Sequence, residues 1–167
     1  TSFEADGAAW EVIDFSPRLP DGWSVRLPRE LVRLVRPIHG QPTLSIELDP
    51  RPDYARAPVE IVDVTGGVEA RWSGGRMHVA SNLPSSALVA GRPFTLTRPI
   101  FVALAWGGPG DVFDAASAEQ TLSLTVAGWR AWSRTCALPS FAPEAVLRSA
   151  LCLKLHAFHD TGAVMAA

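Results

Sequence analysis

The sequence predicts a mainly β protein with C-terminal helices, an antiparallel β-sandwich that gives way to two helical segments. Three observations predict it. Residues 1 to about 106 form short apolar stretches separated by Gly- and Pro-rich turns, the spacing of an antiparallel sandwich. From Asp114 the apolar residues recur at steps of three and four, the period of one helix face. Of the 167 residues 47% are hydrophobic and 19% charged, a balance that builds a core rather than a disordered chain.

The elements follow in order. Phe3–Ala5 and Trp10–Phe15 flank Asp6-Gly7, a dipeptide suited to the positive φ angles of a tight hairpin, with two small residues after the glycine loosening the register. Leu31–Arg36 is rich in Leu and Val and bounded by Pro28 and Pro37. Thr43–Leu48 alternates apolar and polar residues, as a strand buried on one face does, until Pro50 and Pro52 end it. Shorter strands are expected at Val59–Val64, Val68–Trp72 and Met77–Ala80, punctuated by Gly66-Gly67 and Gly74-Gly75. Phe94–Thr97 and Ile100–Trp106 complete the β region.

Asp114 is placed to cap a helix whose stripe runs through Ala118, Leu122, Thr125, Val126, Trp129 and Trp132, with Glu119 near its positive end. Leu138-Pro139 breaks it. A second helix starts at Pro143, which a first turn accepts because its missing N–H would lack a partner there. Leu147, Leu151, Leu155 and Phe158 form its stripe, widened by Val146, Ala150 and Leu153, and Glu144 and Arg148 stand at i,i+4. Asp160-Thr161-Gly162 is expected to stop it. Leaving that stripe wet forfeits on the order of 10 kcal/mol, so it is expected to need a partner surface. With Thr1 rather than Met first and Phe3–Ala5 already strand-like, the chain reads as a piece of something larger.

Net charge is −2 without a basic cluster, which gives no footprint for nucleic acid. No apolar run approaches the roughly 20 residues of a membrane-spanning helix, because Arg148 and Lys154 interrupt the longest tract. Cys136 and Cys152 are too few for a disulfide framework and read as reduced, packed thiols, a usage that leans towards the cytoplasm.

Several residues invite a chemical reading. Asp49 and Asp53 bracket Pro50-Arg51-Pro52, yet a loop leaving a strand holds such carboxylates as solvated groups or turn caps. Nothing nearby in sequence drives their pKa values apart. His156 and His159 lie at i,i+3, but zinc wants three or four ligands and no further Cys or His stands at suitable spacing. Of six tryptophans, Trp10, Trp72, Trp106, Trp129 and Trp132 are expected in the core. Trp23, in the loop Pro20-Asp21-Gly22-Trp23-Ser24, is the candidate for exposure and hence for stacking on a sugar ring. Gly107-Gly108-Pro109-Gly110 follows a strand, but Pro109 removes an N–H and no phosphate-loop pattern is present. Lys154 either lies along the apolar stripe or pairs with a carboxylate outside it.

The stretches TSFEADGAAWEVIDFSPR, LVRLVRPIHG…LSIELDPRPDYAR and AGWRAWSRTC…EAVLRSALCLKLHAFHDTGAVMAA resemble the bacterial branch of glycoside hydrolase family 15, whose members include glucoamylase, glucodextranase and trehalase-type enzymes. The likeness spans nearly the whole chain and is most specific in Trp129–Trp132 and from Leu147 onward. It implies that residues 1–113 are the later part of a super-β-sandwich, 114–139 a helical linker and 140–167 the start of an (α/α)6 barrel. Two departures stand out: the block of strands that usually precedes such a segment, and the motifs that usually follow the Ala-Ala step, are both missing.

The resemblance implies an α-glucoside as the substrate of the parent enzyme and an inverting mechanism, and no cofactor or metal is expected. Inversion needs an acid and a base about 6.5–9.5 Å apart. The family's catalytic glutamates lie downstream of this segment, so no catalytic residue is assigned here and the chain by itself is expected to be inactive. Two other functions remain open: a self-contained carbohydrate-binding or interaction module, drawing on Trp23, and a structural protein that hides its helical stripe in an oligomer.

Overall fold

A computed structural model describes residues 1–158 and 160–165. It is mainly β with C-terminal helices. Two compact units are present, Thr1–Thr125 and Val126–Ala167.

The first unit is built on a seven-stranded antiparallel sheet of β1 (Ser2–Ala5), β2 (Ala8–Phe15), β5 (Glu30–His39), β7 (Glu60–Val64), β8 (Gly67–Trp72), β9 (Gly75–Ser81) and β11 (Ile100–Trp106). Its spatial order is β1-β2-β5-β11-β9-β8-β7. The strand latest in sequence therefore sits at the centre, with Phe101 opposite Leu34 on one side and Ala103 opposite Ala80 on the other. Two small ladders accompany the sheet, one of β3 (Leu19–Asp21) with β4 (Ser24–Arg26) and one of β6 (Thr43–Leu44) with β10 (Phe94–Thr95).

Strand alternation gives the sheet two apolar faces. On one, Val32, Leu34, Phe101, Ala103 and Ala80 pack with Val112 and with Ala118 and Leu122 of α3 (Ala115–Ser133). On the other, Val68, Ala70, Met77, Val79 and Val102 pack with Leu88 of the short α2 (Ser85–Val89) and with Ile46 and Leu48. Val35, Ile100 and Leu96 extend that face beneath Leu44 and Phe94. The second layer is thus a two-stranded ladder, a single-turn helix and loops.

The Asp6-Gly7 hairpin forms as expected, with φ of +52° and +73° and Ala5 opposite Ala8. The small residues after it do not loosen the register. Ala8 and Ala9 are buried because Gly40 crosses close by, where an added Cβ would stand 2.7 Å from the Ala8 Cβ. The irregularity falls instead between β2 and β5, at Ala9/Trp10. It absorbs Ile38 and lets Pro37 lie within β5 rather than end it, since a bulge tolerates a residue without an N–H.

Two strand expectations need correction. The strand read at Thr43–Leu48 is paired only over Thr43–Leu44, since Phe94 and Thr95 alone offer it a ladder. Beyond them Ile46 and Leu48 serve the core as loop residues. The strand read to Thr97 likewise ends at Thr95. The loop read at Asp49–Asp53 runs into the single turn α1 (Pro52–Ala55), with Asp53, Tyr54 and Ala55 all at positive φ and both carboxylates exposed.

In the second unit, α4 (Pro143–His156) opens on Pro143 as read, behind Ala142 in a left-handed conformation. It closes earlier than Asp160-Thr161-Gly162. Ala157 turns extended and bridges to Val164, so Gly162, at φ of +72°, serves a tight turn rather than a helix cap. No residue of α4 is buried; Leu147 and Leu151 are half-buried, and Leu153 and Leu155 are 62% and 66% exposed.

Candidate functional site

The candidate site is the β3–β4 hairpin together with the recess at its foot. Asp21 faces Ser24 across a two-residue tip of Gly22 and Trp23. Gly22 takes a φ of +56°, which a side chain would resist. Trp23 is left entirely exposed. An indole held in water forfeits the burial that normally rewards it, which marks the position as a contact candidate.

The root of the hairpin is fixed. Pro17 and Leu19 are buried. The Arg18 N–H donates to Thr125 Oγ1 at 3.0 Å, and the Ser16 hydroxyl donates to the Glu30 carbonyl at 3.0 Å. Arg26 Nη1 donates to Asp111 Oδ2 at 2.5 Å, tying β4 to the loop that leaves β11.

Beside that ion pair a recess of about 220 Å³ is lined in part by Arg26, Glu30 and Asp111. Glu30 is buried, 4% exposed, and accepts the Val112 N–H on Oε1 and the Asp111 N–H on Oε2, each at 3.2 Å. Burial pushes its carboxyl above the usual range, and the two N–H donors oppose that shift without cancelling it. Gly110 is glycine for a local reason: a Cβ there would run into the Glu30 carboxylate. Both carboxylates are committed to partners of their own chain. Glu30 holds the loop and Asp111 neutralises Arg26, so these contacts anchor the foot of the hairpin rather than presenting a free acid opposite a base.

Other sequence candidates do not join this site. Asp49 is forked by Arg51, with contacts of 2.6 to 2.9 Å, and Asp53 lies in the exposed α1 turn. His156 sets Nδ1 2.8 Å from the Cys152 carbonyl oxygen, while His159 lies outside the described residues. Among the described residues no group of three His, Cys, Asp or Glu side chains is close enough to share a metal ion. Cys136 and Cys152 are free thiols, and Lys154 is half-buried along α4.

Trp10 stacks on Phe3 at 5.7 Å and Trp129 meets Trp132 edge-on at 5.9 Å. Trp72 packs against the second-face cluster. Trp106 departs from the expected core position: at the end of β11, where the sheet runs out, it is 49% exposed. The sequence reading missed Arg26, Glu30 and Asp111. The one local signal was a carboxylate opening the apolar stretch that starts at Leu31.

No protein-family model, curated protein or solved structure matches the chain. No helix of the described residues is long and apolar enough to cross a membrane.

Proposed function

We propose that this chain is a non-catalytic supporting region of an inverting α-glucoside hydrolase resembling family 15. In this reading residues 1–113 are the later part of a super-β-sandwich, 114–139 the linker and 140–167 the start of an (α/α)6 barrel. The catalytic glutamates belong to a part of the enzyme outside residues 1–167, and the sandwich shapes and stabilises the barrel that carries them.

The observation that carries the reading is the exposed apolar side chains of α4 and its C-terminal end. Leu153 and Leu155 are more than half exposed on a helix with no buried residue, and so is Phe158 just past its end, in the stretch where the wording is most family-like. Apolar side chains left in water on a helix are stabilised by burial against a partner surface. The test is hydrolysis of maltose, isomaltose and trehalose by residues 1–167 and by the product of the complete reading frame. The reading expects glucose release, with inverted anomeric configuration, from the second alone. A reading frame that closes directly after Ala167, or a longer product without activity, would refute it.

A second reading, a carbohydrate-binding module, is favoured by Trp23. A rooted hairpin holding a bare indole in solvent is suited to stacking on a pyranose face. Titration of the chain with the same three sugars, followed by tryptophan fluorescence, tests it. A saturable response in the millimolar range or tighter that vanishes in Trp23→Ala supports the module, and a flat response removes it.

A further inference from the structure

At the end of the sheet opposite β1, strand β7 is paired on one side only. Val64 and Gly67 flank a two-residue turn, so they form a hydrogen-bonded pair, and the pattern alternates back through Val62 and Glu60. The N–H and C=O groups of Ile61 and Asp63 consequently point away from β8, along the free edge. Strands in this position are commonly blunted by proline or a bulge. The five residues of β7 contain no proline, and the β7–β8 register runs without a shift.

That edge borders a groove of about 310 Å³ between β7 and one side of α2, whose floor includes Ile61, Val62 and Val89. Val89 is 46% exposed there. The Asp63 carboxylate lies at the groove, exposed, and Glu60 opens the same strand; neither takes part in an ion pair among the described residues.

We propose that the β7 edge and the groove beside α2 form a docking surface for an extended, basic polypeptide segment of a partner protein, which adds to the sheet as an eighth strand. Main-chain bonds to Ile61 and Asp63 supply the pairing, an aliphatic side chain fills the groove against Val89, and a Lys or Arg meets Asp63. A second copy of this chain is a poor occupant. Pairing two β7 strands antiparallel puts both Asp63 carboxylates on the same face of the sheet, and neither has an ion-pair partner among the described residues, which opposes association.

The test uses the intact 167-residue chain, isotopically labelled, and three synthetic pentapeptides with blocked ends. The first is Val-Lys-Val-Lys-Val, the second Val-Glu-Val-Glu-Val, and the third the basic peptide N-methylated on alternate residues so that one strand edge cannot donate. The proposal expects the basic peptide alone to slow amide hydrogen exchange at Ile61 and Asp63, by about tenfold or more at saturation. In Asp63→Lys, which leaves the backbone edge in place, the preference should pass to the acidic peptide. No slowing at these two amides, equal slowing by the N-methylated peptide, or an unchanged preference in Asp63→Lys would each overturn it. So would a concentration-dependent dimer that protects the same two amides without any peptide.

Discussion

The guanidinium of Arg36 on β5 clasps the carboxylate of Glu119 on α3, donating from Nε to Oε1 at 2.9 Å and from Nη2 to Oε2. Its remaining amine reaches Glu11 on β2 at 3.1 Å. One side chain thus links two strands to the first turns of a helix 83 residues further on. Glu119 is 40% exposed, so solvent screens the pair. A double-mutant cycle of Arg36→Ala and Glu119→Ala should give a coupling of about 0.5–1 kcal/mol in urea unfolding. In 1 M salt, where the screening length falls to about 3 Å, the coupling should shrink. An absent coupling would reduce the clasp to a surface contact.

Glu30 should make stability depend on pH in an unusual direction. Its carboxyl lies above the ordinary glutamate value of about 4.3 because burial disfavours its charge. The folded state therefore keeps this proton longer than the unfolded state does. The resulting stabilisation is complete below the ordinary value and is lost as pH rises through the elevated folded value. Urea midpoints for the wild type and Glu30→Gln, compared from about pH 4 to pH 7, should show this component in the wild type only. Equal slopes would count against it.

Gly110→Ala tests the same contact sterically. The new methyl group meets the Glu30 carboxylate, and overpacking of this kind costs about 1–3 kcal/mol. The loss should appear in the urea midpoint, with the far-ultraviolet spectrum unchanged. A neutral substitution would mean that the 107–111 loop yields.

Asp114 caps α3 as the sequence indicated. Its Oδ1 accepts the Ser117 N–H at 2.7 Å, while the Ser117 hydroxyl accepts the Phe113 and Asp114 N–H groups in return. These bonds hold the Asp114 carboxyl below its usual range. The cap therefore contributes above the ordinary aspartate value and is lost as pH falls through the depressed folded value. Asp114→Ala should lower the thermal midpoint by a few degrees, whereas Asp114→Ser should retain most of it. Acidification should narrow the gap between wild type and Asp114→Ala.

On α4, Leu153→Lys with Leu155→Gln should leave the unfolding free energy within about 0.5 kcal/mol of wild type, because both residues are already wet. Binding of a hydrophobic dye and self-association should fall. A large loss of stability would mean that these leucines are sheltered in solution.

The sheet was largely legible in the sequence because its strands carry turn chemistry at their ends. Asp6-Gly7 and Gly66-Gly67 each announced a connection, and Ile100–Trp106 appears with the bounds read for it. Legibility failed where pairing was decided at a distance. Ile46 and Leu48 alternate like strand residues but meet no ladder. The β3–β4 hairpin passed as a loop because each strand has three residues and one includes Pro20. α2 was missed because a helix of five residues shows no period. At the candidate site only Trp23 was visible. Arg26, Glu30 and Asp111 meet across about 80 residues, and no local pattern encodes that.

The central position of β11 sets the order in which this chain can mature on a ribosome. Until Ile100–Trp106 has been synthesised, β5 and β9 each lack a neighbour, and two half-sheets wait with open edges. At roughly 5–20 residues per second the wait lasts seconds, long enough for chaperones to matter. A nascent chain arrested before Ile100 should be digested readily by protease and one arrested well past Thr125 should resist, so that a single late strand acts as the keystone of synthesis.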